Sequence, residues 1–317
     1  MKNGRSRSKM RSGKLPLKAV AVTIMALVLM ALSTASFTIT VDAHMPGAKA
    51  PPAFELSPIV IADDGTEIEI TIEDVGNYHN ERMKEFKRDM LKKQNKTEEE
   101  IDKIIEKEFA GSTGICPCSS FAFRAALLGI SELWGDEIPE RADIKFITRR
   151  PTPGATQCLQ YITGTGPGVP DVKSKGELQM ILPDGTEVTD LSVKNLKKYM
   201  VDMNLSNWNI VIIRKSTGDE FEVQVKEGVI PEGFFELRKK VKVEKTATPE
   251  EIEEFRTQWE AVRDAFLTQP DWELFEGVEE PEEEEPDVVG GAIFFSILVI
   301  GLGLLLVLSL RVRVKVR

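Results

Sequence analysis

The sequence predicts an α+β fold: a single mixed-sheet domain with packed helices and an inserted helical hairpin, flanked by two apolar membrane segments. Three observations predict it. Strand-like and helix-like stretches alternate irregularly. Alternating apolar strands meet at Asp-Gly turns. Several amphipathic helices open on capping residues.

In chain order, Ser57–Ala62 reads as a strand, Asp63-Asp64-Gly65 as a turn, and Thr66–Ile72 as a second strand. Thr71-Ile-Glu-Asp74 resembles a capping box that opens a helix through Tyr78-His79. Asn80–Lys107 is highly charged. Met83, Phe86, Met90 and Leu91 share one helical face. Ile101, Ile104 and Ile105 share another after a second box, Thr97-Glu-Glu-Glu100. The reading is a solvated helical hairpin broken near Gln94-Asn95.

An apolar helix is expected over Ser119–Trp134, a strand over Ala142–Thr148 and a short helix over Gly154–Gly164. The loop Thr163-Gly-Thr-Gly-Pro-Gly168 lacks the Gly-Lys-Ser/Thr of a phosphate loop, so it reads as a turn. Glu177–Leu182 and Glu187-Val188 suggest a hairpin on Asp184-Gly185, and Ser192–Met203 a helix. Asn209–Arg214 and Glu220–Val225 are expected to pair. Thr248-Pro249-Glu250-Glu251 starts a helix to Leu267, with Thr as cap and Pro in the first turn. The expected core includes Phe121, Ala125, Leu128, Phe146, Ile162, Val211, Ile213 and Trp259.

The 317 residues carry a net charge of −10, but the charge is uneven. Seven basic and no acidic residues precede Ala19, and four basic and no acidic ones follow Leu310. Between them stand 30 basic against 51 acidic residues, a net of −21. Nucleic acid is excluded as a partner of so acidic a middle, because binding it needs a positive footprint. Docking on anionic lipid head groups is disfavoured for the same reason.

Ala19–Val41 and Val288–Leu310 are each apolar and long enough to cross about 30 Å of hydrocarbon. Their basic flanks put both termini in the cytoplasm and the acidic middle outside. The first segment also fits a cleavable secretory signal, with small residues at Ser33-Thr-Ala-Ser36. The expected plan is a basic head with signal or anchor over 1–42 and a Pro/Ala linker over 43–56. The folded domain covers 57–276, with the hairpin inserted at 80–110. An acidic stalk over 277–287, a transmembrane helix over 288–310 and a basic cytoplasmic tail over 311–317 complete it. The expected location is the cell membrane, with the domain on the extracytoplasmic side. Membrane lipid is then a partner through the C-terminal helix. Asn95-Lys-Thr97 and Asn204-Leu-Ser206 fit the glycosylation pattern of an exported chain.

The chemistry concentrates at Gly114-Ile-Cys116-Pro-Cys118-Ser-Ser120. Two of the three cysteines stand here, at the mouth of an apolar helix. Ser119 or Ser120 can cap that helix. Its dipole favours a thiolate. With two histidines in the chain, and His44 in the linker, a Cys–His nucleophile would depend on His79 with no third partner indicated.

These residues resemble the E-subunit family of formylmethanofuran dehydrogenase. The likeness covers roughly Thr71–Phe275, with the charged hairpin as an insertion. The family's G-H-x-C-P-G element and Ala/Leu helix correspond to Thr113–Cys118 and Phe123-Arg-Ala-Ala-Leu-Leu128. Its D-A-I-Q-x-x-T-G helix corresponds to Gln157-Cys158-Leu-Gln-Tyr-Ile-Thr-Gly164. Its ending corresponds to Glu236-Leu-Arg238, Ala247-Thr-Pro-Glu-Glu251 and Glu273-Leu-Phe275. Gly114 stands where the family has His, Cys118 where it has Gly, and Gln157 and Cys158 where it has Asp and Ala. The zinc-ribbon cysteines of many relatives are absent.

The resemblance implies that Cys116, Cys118 and Cys158 converge, with His79 as the counterpart of the family's first His, moved away in sequence by the insertion. Three readings stay open for them. One is a soft-metal site for zinc or another thiophilic metal such as copper(I). A second is a thiol–disulfide redox module, with a membrane or electron-carrier protein as partner. The third is a structural disulfide or buried thiols in a non-catalytic accessory or assembly protein.

Overall fold

The computed structural model describes residue 45 and residues 47–281, all within one compact unit. The basic head, both apolar segments, His44, the basic tail and most of the acidic stalk lie outside the described residues. Among the described residues no helix is long and apolar enough to cross a membrane.

Strands β1 (Ile59–Asp63) and β2 (Thr66–Ile70) form an antiparallel hairpin of their own. Asp64 and Gly65 both have positive φ, as a tight two-residue hairpin turn requires. Thr71 then caps α1, and its hydroxyl and the Asp74 carboxylate bond each other's backbone N–H. Helix α1 (Ile72–Lys93) runs unbroken for 22 residues, past the expected end near His79. Its first half is buried in the domain. Its second half leaves with α2 (Glu98–Phe109) as the expected hairpin, capped at Thr97 and turned at Asn95. The hairpin holds its own small cluster of Leu91, Ile101 and Ile105, with Lys87–Glu108 and Arg88–Asp102 ion pairs alongside.

Helix α3 (Pro117–Trp134) is the centre of the domain. It packs on α4 (Pro153–Thr163) and α7 (Pro249–Thr268) and lies across the sheet. A Cβ at Gly129 would stand 2.5 Å from Ile212, so the helix and the sheet meet at that glycine. The sheet has the order β4-β3-β5-β6, from β3 (Ile144–Thr148), β4 (Glu177–Met180), β5 (Asn209–Arg214) and β6 (Asp219–Gln224). The β3–β4 pair is parallel, with α4 in its crossover, and the other pairs are antiparallel, so the sheet is mixed. Phe121, Trp208, Phe266 and Phe275 form an aromatic cluster between α3, α7 and the sheet.

Several expectations need correction. In β5 the buried face carries Ile210 and Ile212, and Val211 and Ile213 are only half-buried. An apolar run with no polar alternation leaves strand parity undetermined, and a one-residue shift reverses the faces. Trp259 is half-buried, covering Arg263 rather than filling the core. The expected Ser192–Met203 helix is a single turn, α5 (Val193–Leu196), followed by a 3-10 turn at Lys197–Tyr199. The 177–188 hairpin keeps its turn at Gly185, yet its return arm contributes only an isolated bridge from Ile181 to Glu187. Helix α6 (Phe234–Arg238), with the π-turn Lys239–Glu244, and α8 (Asp271–Leu274) complete the fold.

Candidate functional site

The N-terminus of α3 is built by Cys116 itself, not by Ser119 or Ser120. The Cys116 backbone is extended, and its sulfur accepts from the Ser119 N–H at 3.4 Å. The Ser119 hydroxyl closes the box by accepting from the Cys116 N–H at 2.9 Å. Pro117 occupies the first helical position, where a missing N–H costs nothing. The helix therefore starts two residues earlier than the apolar pattern suggests, and a sulfur holds the place of the usual capping oxygen.

The approach to this mouth is equally constrained. Gly114 has φ +73°, and a Cβ there would stand 1.9 Å from the Gly76 carbonyl oxygen of α1. The backbone of the 112–115 loop thus lies directly on α1, and no side chain fits at position 114. One helical turn along α1, the fully buried His79 reaches the same region. Its Nδ1 is 2.5 Å from the Gln157 Oε1 of α4. From α4, Gly154 closes over the cysteines: a Cβ there would stand 2.5 Å from the Cys116 sulfur and 3.2 Å from the Cys118 Cβ. Cys158 follows one turn later on the same helix, completely buried.

The electrostatics follow from this geometry. Cys116 is 4% exposed, yet its thiol is held down to about 6. The main cause is a hydrogen bond from the Cys118 thiol, followed by those from the Ser119 hydroxyl and N–H. Together they outweigh desolvation. Cys118 is pushed far up, because the bond to Cys116 keeps its proton in place and burial adds to the effect. The Arg150 guanidinium, whose Nη2 is 3.3 Å from the Cys118 sulfur, pulls the other way. Burial pushes Cys158 well up, and the Cys116 charge adds to it. Burial also drives His79 below its ordinary value, against the Gln157 bond and the pull of Cys118. The surroundings therefore favour the thiolate at Cys116, the thiol at Cys118 and Cys158, and the neutral ring at His79.

All three cysteines are free. Cys116 and Cys118 are in direct interaction, Cys158 lies within reach of the Cys116 charge, and His79 within reach of Cys118. Among the described residues, however, no three His, Cys, Asp or Glu side chains are grouped to hold one metal ion. The expected set of Cys116, Cys118, Cys158 and His79 gathers at the helix mouth without assembling a tetrahedral site. The competing contacts explain this. The Cys116 sulfur is turned into the helix cap, His79 is engaged by Gln157, and Arg150 stands against Cys118.

Arg150, Trp208 and Arg238 were not among the expected site residues. Arg150 lies at the end of β3, stacks on the Trp208 indole at 3.7 Å and is 2% exposed. The only sequence signal was a charged pair, Arg149-Arg150, closing an apolar strand just before Pro151.

No curated protein and no solved structure matches the chain. The family model FmdE, described as molybdenum formylmethanofuran dehydrogenase operon, matches residues 112–276. That span begins just before the Cys116 cap and ends just after Phe275 of the aromatic cluster. It contains α3, α4 and the whole four-stranded sheet, and it leaves out the α1–α2 hairpin. Over more than half its length, the three cysteines included and His79 outside the match, this chain belongs to the FmdE family.

Proposed function

We propose that this FmdE-family domain is a membrane-tethered, extracytoplasmic site that takes one soft cation on the sulfurs of Cys116 and Cys118. The observation that carries the reading is the placement of these two sulfurs, in direct interaction at the start of α3 under Gly154. Thiolates select soft ions such as copper(I), which accept few ligands. A two-sulfur site needs no third ligand, so it agrees with the absence of a three-ligand group among the described residues. Binding would displace the remaining thiol proton, and the Arg150 guanidinium would offset the second negative charge.

Burial separates this reading from thiol–disulfide exchange with a partner protein. At 4% exposure Cys116 is enclosed against a bulky disulfide. The tether and its orientation rest on the two apolar segments, their basic flanks and the acidic middle.

Competition between the reduced full chain, in detergent, and a copper(I) chelator tests the site. One equivalent should bind. Cys116→Ser and Cys118→Ser should each lower the affinity by at least about 100-fold, while Cys158→Ser changes it by less than about threefold. Equal losses in all three variants, or no binding, would contradict the reading. Protease added to intact cells tests the orientation, which fails if residues 57–275 are protected.

A further inference from the structure

We infer that the guanidinium groups of Arg150 and Arg238, beside Cys118, form a receptor for a small oxyanion such as a carboxylate or phosphate group. Arg150 is 2% exposed and Arg238 7% exposed. Among the described residues, neither pairs with an Asp or Glu side chain. Arg150 is held by the Trp208 indole against its face and by one donation, from Nη2 to the Cys118 sulfur. Its Nε and Nη1 are buried with no acceptor, and so is the Trp208 Nε1. Arg238 donates from Nη1 to the Met200 carbonyl oxygen at 2.7 Å.

Two buried guanidinium groups without a carboxylate are costly. Each unmet charged donor forfeits its hydration with nothing in return, and a buried unpaired charge costs more. The two also repel. Burial, with Arg150 next, pushes Arg238 down to about 10, which leaves it charged at neutral pH. An oxyanion would supply the missing charge and several acceptors at once, because guanidinium groups match carboxylate and phosphate oxygens. The half-buried Cys118 marks the side from which it would enter.

The receptor's donors are guanidinium groups rather than sulfurs, and the two ligands are measured apart, the anion titration being run without copper. The full chain, reduced and in detergent, is titrated with acetate, with phosphate and with chloride at constant ionic strength. Melting temperature and tryptophan fluorescence are followed, since Trp208 covers Arg150. Acetate or phosphate should raise the melting temperature saturably and change the emission, and whichever acts at the lower concentration identifies the group. Arg238→Gln, which keeps a donor for Met200, should weaken this affinity at least tenfold, and so should Arg150→Lys. Cys158→Ser should leave it within about threefold, and in a separate titration Cys116→Ser should lower copper(I) affinity by at least about 100-fold. No saturable effect in the wild type would overturn the inference. So would an equal effect of chloride, or full affinity in Arg238→Gln.

Discussion

Gly154 and Cys116 touch: the Cβ that the glycine lacks would stand 2.5 Å from the cysteine sulfur. The contact locks α4 onto the mouth of α3 and sets how much room the thiolate has. Gly154→Ala should therefore push on the sulfur and loosen its hold on the Ser119 N–H. Overpacking costs about 1–3 kcal/mol, offset by up to about 1 kcal/mol of helix propensity. The expected net result is lower stability in urea together with a Cys116 thiol that titrates higher, read from thiolate absorbance. A variant as stable as the wild type with an unchanged thiol would show that the contact is slack.

The thiols should also give stability a peaked pH dependence. An unfolded cysteine ionises near pH 8.5, whereas folded Cys116 does so at about 6. Its folded value is depressed, so its contribution is fully present above the unfolded value and is lost as pH falls through about 6. His79, buried and neutral, adds to the loss in acid, because the unfolded chain gains a proton below about 6.5 that the folded one resists. Cys118 and Cys158 have the opposite sign. Their folded values are raised, so stability declines as pH climbs past the unfolded value. Unfolding free energies from urea melts across pH 5–10 should rise by up to about 1.4 kcal/mol per pH unit for each such group toward pH 8 and then fall. Cys116→Ser should flatten the rising limb, and an unchanged rise in that variant would contradict the assignment.

Gly114 makes a sharper demand than the other turn glycines. With φ +73° and the Gly76 carbonyl oxygen 1.9 Å from its absent Cβ, Gly114→Ala should cost about 3 kcal/mol or more. Gly185 has a similar φ of +84° with nothing within 4 Å. Gly185→Ala should lose only the backbone term, about 1–2 kcal/mol. Equal losses in thermal unfolding would mean that the 112–115 loop does not rest on α1.

Local rules carry well into this fold wherever the signal is itself local. Thr71, Thr97 and Thr248 each cap the helix that their spacing announced, because a capping box is decided within four residues. The 59–70 hairpin follows from Asp64-Gly65 in the same way. Strand parity in Asn209–Arg214 did not follow, since only contact with α3 selects Ile212 over Val211. The long run of α1 was obscured because its charged second half is helical through hairpin packing rather than through burial in the main core. At the site, the cysteines and His79 were legible as residue types. Arg150 and Arg238 were not, because they come from just past β3 and from α6, far apart in the chain, where nothing in the local sequence marks them as buried. The Gly at position 114, set against the family's His, has its reason in the α1 backbone beneath it.

The most direct test of the central claim is X-ray absorption on the copper(I)-loaded full chain. Two sulfur neighbours and no nitrogen are predicted, with the same spectrum in Cys158→Ser and no bound metal in Cys116→Ser. Three or four neighbours, or a nitrogen contributed by His79, would contradict the two-sulfur site.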